Sequence, residues 1–530
     1  MTEIPNQCIR LLYFADGGIN AYNLWDPFSE EQLRGFVDAF ADNGIDILSQ
    51  KIYAGGGTKP GLFVPEHPDF PRWRNDRFRD LIDSGVQPLE VMIEQAHRRG
   101  MKFFCKMRMS DWHKRTVEES GFVGRHPELQ NPTTSKDRPS LDYTHQAVHD
   151  HHTALVDELA RRFDIDGITF NFIRGWHNFP REVARERHHH MTAFIRQARE
   201  VLNTWCERKQ KAIELSVIVP SPMTLCEALG NDVKTWIAEG LVDYVTPANG
   251  HYSDPNLDHQ PLATLCRESG VTYCPALQSH VATDDKANLL KPEQIRAVVK
   301  GMASAGADAV GVFNWQYYWA RRGGAASYPG GVSGFPLALG CLRELRDTRV
   351  LECEPRHYWF CPIGMEWKTG DGMIEDAYRV TFRRAAGERG EYCFRLPEDL
   401  AESGGAQVFA HVIGLSAPTD EALEAAATSD LSTKAPGLAP MWEDEIQVDI
   451  NGAIIPAANL RRVYHAEGRS KTFGRPLPAH SSLWFDLESP PAVNGDNTLG
   501  VTLLTTSDGP GDVVIEEVEV VVMPKPADGP

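Results

Sequence analysis

Over the first 340 residues or so, short apolar runs of strand length alternate with longer stretches whose apolar residues recur at helical spacing. Strands are predicted at 8–16, 45–53, 101–109, 166–172, 212–220, 242–249, 271–277 and 308–315. The segments between them include FSEEQLRGFVDAFADNG, PLEVMIEQAHRRG, HQAVHDHHTALVDELARRF, WIAEG, LATLCRESG and PEQIRAVVKGMASAG, all read as helices. Ser29 is placed to cap the first of these, with Gln32 completing a capping box. Eight strands alternating with helices predict an α/β fold, a (β/α)8 TIM barrel. A doubly wound open sheet is the alternative, but no glycine-rich phosphate turn follows the first strand.

The texture changes after about Glu354. RVTFRRA, EYCFRL, AQVFAHVIGL, DEIQVDING, SSLWFDL, NTLGVTLLT and VVIEEVEVVV are short strands with no helices between them, a β-sandwich pattern. Asn451-Gly452 and Asn494-Gly495 are turns by their chemistry, and Thr419 to Pro440 reads as an inserted loop. The expected division is a catalytic barrel over 1–350 and an accessory sandwich over 351–530. By eye there is no internal repeat of 20–50 residues.

The segment Phe163 to Trp176, FDIDGITFNFIRGW, is the most informative. If Gly167 starts the strand, Ile168, Phe170 and Phe172 face the surrounding helices, while Thr169 and Asn171 face the barrel interior. Asn171 and Arg174 then lie at the carboxyl end, where such barrels keep their chemistry. Together with the upstream LDYTHQAVHD, this segment resembles glycoside-hydrolase-like (β/α)8 barrels of bacterial polysaccharide-degrading systems, with their pattern L-D-x-x-x-P-x-V, a helix, then Y-D-V-D-G-I-x-x-D-x-x-R. Chitinase-type barrels carry a similar D-G-x-D-x-D-x-E strand. Where the resembling family has an acid, this chain has Asn171, and the chitinase-type acids fall on Thr169, Asn171 and Ile173, so that mechanism is not available. EIQVDINGAIIP and NGDNTLGVTL resemble the jelly-roll accessory domains found beside glycosidase barrels.

Length and composition narrow the rest. A chain of 530 residues, 42% hydrophobic, is globular and long enough for two domains. Its net charge of −19 argues against nucleic acid and anionic membranes as partners, while leaving room for a locally basic cleft. The ten cysteines show no CxxC pair and read as reduced thiols, with Cys105, Cys274 and Cys393 acting as small apolar strand residues. No cofactor and no metal is expected. The amino terminus has no signal-peptide pattern and no run approaches membrane-spanning length, so a cytoplasmic protein is expected, with export open if a leader was trimmed.

Candidate chemistry clusters at strand ends. On strand 3, Lys106 and Arg108 alternate with an apolar set and so point inward. Either they pair with internal acids such as Asp46 or Glu214, or at least one meets substrate. Asp111 and His113 follow at the rim as a proton-transfer pair. Strand 2 supplies Lys51, the loop after strand 6 supplies Asn249, His251, Tyr252 and Asp254, strand 7 supplies Gln278 and His280, and strand 8 supplies Asn314 and Trp315. Asp111, His113, Asn171 and His251 are the catalytic candidates; Lys51, Lys106, Arg108, Arg174, Asn249, Tyr252, Gln278, Asn314 and Trp315 are the substrate-binding ones. Rim acids are few: Asp16, Glu66, Asp111 and Asp254. The runs at His149–His152 and His188–His190 fall on outer helices, Asp142 reads as a loop anchor, and Asp164 and Asp166 belong to the lower face.

These readings predict a carbohydrate-active enzyme, a glycoside hydrolase acting on a uronate-containing or sulfated oligo- or polysaccharide. A polysaccharide lyase and a non-catalytic carbohydrate-binding protein on a decayed glycosidase barrel are the alternatives. The expected partner is the glycan itself, and a homo-oligomer is compatible with the sequence.

Overall fold

The computed structural model describes residues 8–15, 29–54, 57–58, 62–66, 76–110, 121–134, 139–174, 176–249, 252–281, 289–313, 315–318, 334–361, 378–417, 444–465, 468–469, 476–487, 492–506 and 511–524. The chain divides into two compact units. One comprises 1–253, 259–280 and 302–348; the other comprises 254–258, 281–301 and 349–530.

The first unit is built on a parallel sheet. Its strands are β1 (Arg10–Ala15), β2 (Ile47–Ala54), β3 (Lys102–Arg108), β4 (Gly167–Asn171), β5 (Glu214–Pro220), β6 (Tyr244–Ala248), β7 in two pieces (Thr272–Tyr273 and Ala276–Leu277) and β8 (Ala309–Phe313). Each pairs with its neighbour in sequence, and β1 pairs with β8. The first piece of β7 joins β6 and the second joins β8. Pro275, which has no N–H to give, falls at the break. Across it Cys274 N still donates to Val245 O (3.0 Å) and Gly311 N to Pro275 O (2.9 Å). The sheet thereby closes on itself, a TIM-barrel-like fold with all eight expected strands.

Helices α1 (Glu30–Asp42), α2 (Pro88–Arg98), α3 (Gln146–Arg162), α4 (His188–Lys209), α5 (Val233–Ala238) and α6 (Gln260–Glu268) alternate with the strands. At the start of α1 the expected capping box is formed: Ser29 Oγ accepts from Gln32 N (3.3 Å) and Gln32 Oε1 from Ser29 N (3.0 Å).

Side-chain contacts fix which face of each strand is inside. Phe170 lies 5.1 Å from Phe194 of α4, and Phe172 lies 5.7 Å from Trp236 of α5, so both face helices. Ser49 Oγ donates to Thr169 Oγ1 (2.8 Å) although β3 runs between their strands, a contact possible only inside a curved sheet. Phe104 and Tyr244 meet edge-on at 5.7 Å across that interior. Two glycines make room for these rings. A Cβ on Gly167 would sit 2.8 Å from Phe104, and one on Gly311 would sit 2.6 Å from Phe14.

At the lower end, one device recurs four times. The residue immediately before each even-numbered strand is an aspartate whose carboxylate accepts the N–H of the second residue of the preceding strand. Asp46 takes Leu11 N (2.8 Å), Asp166 takes Phe103 N (2.8 Å), Asp243 takes Leu215 N (2.7 Å) and Asp308 takes Tyr273 N (2.9 Å). Basic side chains join three of them: Arg346 on Asp46, Lys211 and the His97 ring on Asp166, and Arg199 on Asp243. Burial works against the Asp166 carboxylate, yet the Phe103 amide, Lys211 and His97 hold it below the ordinary range.

The second unit is a sandwich of antiparallel sheets. Its strands are β9 (Arg356–Phe360), β10 (Val380–Phe382), β11 (Arg389–Leu396), β12 (Ala406–Ile413), β13 (Ile446–Ile450), β14 (Ala453–Ile454), β15 (Arg461–His465), β16 (His480–Leu487), β17 (Gly495–Leu503) and β18 (Val513–Val522). One sheet runs β9-β18-β12-β16-β15 with β10 also on β18; the other runs β11-β17-β13-β14. Tyr392, Phe394, Val448, Leu499 and Val501 from the smaller sheet share a buried core with Val408, Val412, Leu483, Ile515 and Val520 from the larger.

Segments from beyond the sandwich sequence join this unit. Arg296 donates to Pro355 O, Lys300 pairs with Glu352, and Asn256 Oδ1 accepts from Arg395 N. The Asn451-Gly452 turn has both residues at positive φ (51° and 79°), as a tight hairpin requires. Cys393 departs from expectation: it lies on the exposed side of β11, while Cys105 and Cys274 are buried and all ten cysteines are free. The stretch 419–440, read as an insertion, lies outside the described residues.

Candidate active site at the carboxyl ends of the strands

Three parallel strands assemble one polar sector. The β2–β3 register sets Lys51 opposite Lys106 and Ala54 opposite Arg108; the β3–β4 register sets Lys106 opposite Thr169 and Arg108 opposite Asn171. Partners in register project to the same side of a parallel pair, so Lys51, Lys106, Arg108 and Asn171 share the inner face with Thr169. All four are buried. Lys106 Nζ lies 5.1 Å from the Phe313 ring centre and 5.9 Å from that of Phe14, within cation–π range. The internal acids considered as partners are engaged elsewhere. Asp46 holds Leu11 N and Arg346, while Glu214 holds Lys102 at 2.7 Å, all at the opposite end of the barrel.

Asn171 ends β4, and its Oδ1 accepts from Ile173 N at 3.0 Å. Its Nδ2 is buried with no hydrogen-bond partner among the described residues. Arg174, half-buried, follows three residues on. Gln278 directly follows β7 and continues the inward alternation of Ala276, which pairs with Gly311. Neither amide atom of its buried side chain has a partner among the described residues, although Ser253 Oγ holds its backbone at both N (2.8 Å) and O (3.2 Å). Beside it, Tyr252 bridges to His280, whose Nδ1 meets Ser279 Oγ at 2.8 Å. Asn249 is buried just past β6.

Trp315 is placed differently from a sugar platform. Its indole is fully buried, donates Nε1–H to Ala338 O (3.2 Å) and is stacked on Tyr318 at 4.3 Å. It offers wall rather than open face. Asp111, His113, His251 and Asn314 lie outside the described residues, as does Asp16. Glu66 is not a rim acid: it pairs with Arg161 and Arg162 in the last turn of α3, the end of that helix remote from the strand carboxyl ends. Asp254 belongs to the second unit, where Tyr378 donates to it (2.9 Å) and burial pushes its carboxyl up to about 6.

The segment after Leu141 supports the floor under β3. Tyr143 donates to Met109 O (3.0 Å), one residue past the strand, and stacks on His152. His152 Nδ1 meets Val148 O, and burial pushes the ring down to about 4, so it packs as a neutral group. His149 meets Tyr143 O (2.7 Å), and His151 stacks on Phe122. Asp142 accepts from Thr144 N (3.0 Å) near Arg187 (3.6 Å), the anchoring role expected of it. Among the described residues, no group of three histidine, cysteine or acidic side chains is arranged to hold a metal. Nor is any helix among them long and apolar enough to cross a membrane.

Some buried polar groups near the strand ends escaped the sequence reading. Ser221, next after β5, and Asn231 carry buried side-chain polar atoms without partners among the described residues. Counting one residue past each strand would have found Ser221; nothing in its local pattern marks Asn231.

With this geometry in view, comparison with known proteins gives the coarse class. Residues 67–251, about a third of the chain, match the family described as Glycosyl hydrolase-like 10. This stretch includes β3 to β6 and the cationic ends of β3 and β4. No curated protein matches the chain. Among solved structures, it resembles a GH138 enzyme described as targeting pectin rhamnogalacturonan II (TM-score 0.42, 13% identity, covering 64% of this chain and 39% of that one). Another is the PgaB (BpsB) glycoside hydrolase domain from Bordetella bronchiseptica (TM-score 0.39, 14% identity, 65% and 99%). A third is the maltogenic alpha-amylase AmyB from Thermotoga neapolitana (TM-score 0.38, 11% identity, 93% and 99%).

Proposed function

We propose that this chain is a carbohydrate-active enzyme, a glycoside hydrolase working on a uronate-containing or sulfated oligo- or polysaccharide. The observation that carries the reading is the register of β2, β3 and β4, which gathers Lys51, Lys106 and Arg108 beside Asn171 at the carboxyl ends. A protein of net charge −19 that concentrates buried cations at this end of its barrel has a local field suited to an anionic ligand. The Gln278 amide adds a donor and an acceptor of the kind that meet sugar hydroxyls. Hydrolysis needs two carboxyl groups, about 5–5.5 Å apart for retention or roughly 6.5–9.5 Å for inversion. Asp111 and Asp16 are the acids this reading calls upon, with His113 and His251 as proton-transfer groups and Arg174, Asn249 and Tyr252 as further sugar contacts.

Asn171 favours a second reading. An amide cannot serve as nucleophile or general acid, so a lyase or a sugar-binding protein remains the competitor. The test is turnover and affinity for acidic against size-matched neutral oligosaccharides across a salt series, with Arg108→Ala alongside. New reducing ends without ultraviolet absorbance identify a hydrolase, and new reducing ends accompanied by an ultraviolet-absorbing unsaturated product identify a lyase. Arg108→Ala should weaken the acidic ligand by about 1.5–3 kcal/mol, with a flatter salt dependence. Equal use of neutral sugars, insensitive to salt and to the substitution, would overturn the anionic assignment.

A further inference from the structure

We infer that Ser253 is a positioning residue of the site: it holds the stretch of backbone that presents the Gln278 amide to the sugar, and it acts on binding through that amide. The inference rests on the carbohydrate reading above. The split in β7 creates the need for such a residue. Cys274 N bonds to Val245 O of β6, whereas Pro275 O is taken by Gly311 N of β8. Backbone groups point alternately to the two sides along a strand, so those of Gln278, like those of Cys274, turn toward the β6 side. The ladder does not reach them there, because the second piece of β7 pairs only with β8 among the described residues. Ser253, in the loop after β6, takes the place of the ladder. Its Oγ accepts from Gln278 N at 2.8 Å and donates to Gln278 O at 3.2 Å. One hydroxyl can do both, since it carries a hydrogen and two lone pairs.

The residues that follow are held in the same way. Ser253 N donates to His280 O (3.1 Å), Tyr318 OH donates to Ser279 O (3.3 Å), and Tyr252 forms a bridge with His280. Each carbonyl from Gln278 to His280 thus has a donor, and Ser253 supplies two of the three. The Gln278 side chain is the contrast. It is buried and continues the inward alternation of the strand, yet neither of its amide atoms has a partner among the described residues. No hydrogen bond among those residues fixes the amide directly, so its placement follows the backbone from which it springs. Ser253 is only 2% exposed and its one hydroxyl hydrogen is spent on Gln278 O, so its influence on a ligand passes through Gln278. A contact group on a clamped backbone is presented in one place, which is what a binding site requires of it.

A double-mutant cycle separates this role from a purely structural one. Ser253→Ala, Gln278→Leu and the double variant would be compared with the wild type as whole chains. Calorimetry would use three size-matched probes: an oligogalacturonate, a sulfated galactan oligosaccharide and a neutral galactan oligosaccharide. Thermal melts would be recorded in parallel. Ser253→Ala should lower affinity roughly three- to tenfold for the probe the wild type binds best, and less than about twofold when Gln278 is already leucine. Its melting temperature should fall in both backgrounds, because two backbone groups lose their partner whatever stands at 278. If the alanine variant does not fold, Ser253→Cys fills nearly the same volume with a weak donor and enters the same cycle, with the same dependence on Gln278 expected. Unchanged binding by Ser253→Ala would overturn the inference. So would an equal loss in both backgrounds, which would make Ser253 a structural residue and leave the carbohydrate reading intact. A wild type that binds none of the three probes would remove both.

Discussion

The two ends of the barrel are built from the same eight strands and solve opposite problems. At the lower end, the four strand-leading aspartates each accept an N–H from the strand before, and three of them also hold a cation. Glu214 is held by Lys102 in the same region. At the upper end, the inner face carries Lys51, Lys106 and Arg108, and two buried amides, Asn171 and Gln278, keep hydrogen-bonding atoms unused among the described residues. Satisfied polar groups hold a fold together, whereas unsatisfied ones cost it stability, and a ligand or water is one way of completing them. Under the proposed function, the lower end maintains the barrel and the upper end holds the groups that would meet a ligand.

The comparison breaks first if the lower end proves dispensable. Asp166→Ala removes the acceptor for Phe103 N and strips Lys211 and His97 of their shared partner. It should cost about 3 kcal/mol of stability, as breaking a partly buried, hydrogen-bonded charge network does, without altering ligand affinity. The pH dependence has a definite sign. The folded-state carboxyl of Asp166 sits below its unfolded value of about 3.9, so its contribution is complete above that pH and fades as pH falls through the folded value. Melting curves should therefore separate wild type from Asp166→Ala most widely near neutrality and converge in acid. Curves separated equally at every pH would mean that the carboxylate charge contributes nothing.

A smaller effect of opposite sign is expected at the upper end. Gln278 is buried with both amide atoms unpartnered among the described residues, so Gln278→Leu removes two unsatisfied atoms and keeps the volume. Stability should hold or rise by up to about 1 kcal/mol, while oligosaccharide affinity falls roughly tenfold. A destabilised Gln278→Leu protein with unchanged binding would place Gln278 among the maintenance residues and blur the distinction between the ends.

How far each end could be read from sequence follows from the range of the interactions. The side of Lys106, Arg108, Thr169 and Asn171 was legible because it depends only on period-two alternation within one strand. All eight strands were legible as short apolar runs between helical stretches, with β7 split at a visible proline. No strand is predicted at β9 or β15, which open on Arg356-His357 and Arg461-Arg462 rather than on an apolar run. Yet Arg356 is buried against Glu398 and His357 against Glu519. Those pairings join residues far apart in sequence, which no local pattern reports. That Asn171 Nδ2 and the Gln278 amide have no partner among the described residues, and that Trp315 is buried against Tyr318, likewise depends on neighbours from other elements. The fourfold aspartate device escaped notice because its members are unevenly spaced along the chain and share no wider motif.

The smallest expected effect tests what that device consists of. Asp308 makes the same backbone contact as Asp166, accepting from Tyr273 N at 2.9 Å, but it is exposed and has no ion pair among the described residues. Asparagine keeps a carbonyl oxygen for that N–H and discards only the charge. If the acceptor is what ties the strands, Asp308→Asn should cost less than about 1 kcal/mol, the ordinary scale for an exposed charge. Asp166→Asn should cost more, because Lys211 and His97 lose their partner even though Phe103 N retains an acceptor. Urea titrations of the two single variants and the double variant would decide it, with additive costs expected for sites on different strand pairs. A loss of 2 kcal/mol or more in Asp308→Asn would show that negative charge itself holds the lower end. The four aspartates would then form an electrostatic counterpart to the cations above, and not a set of hydrogen-bond acceptors three of which also bind a cation.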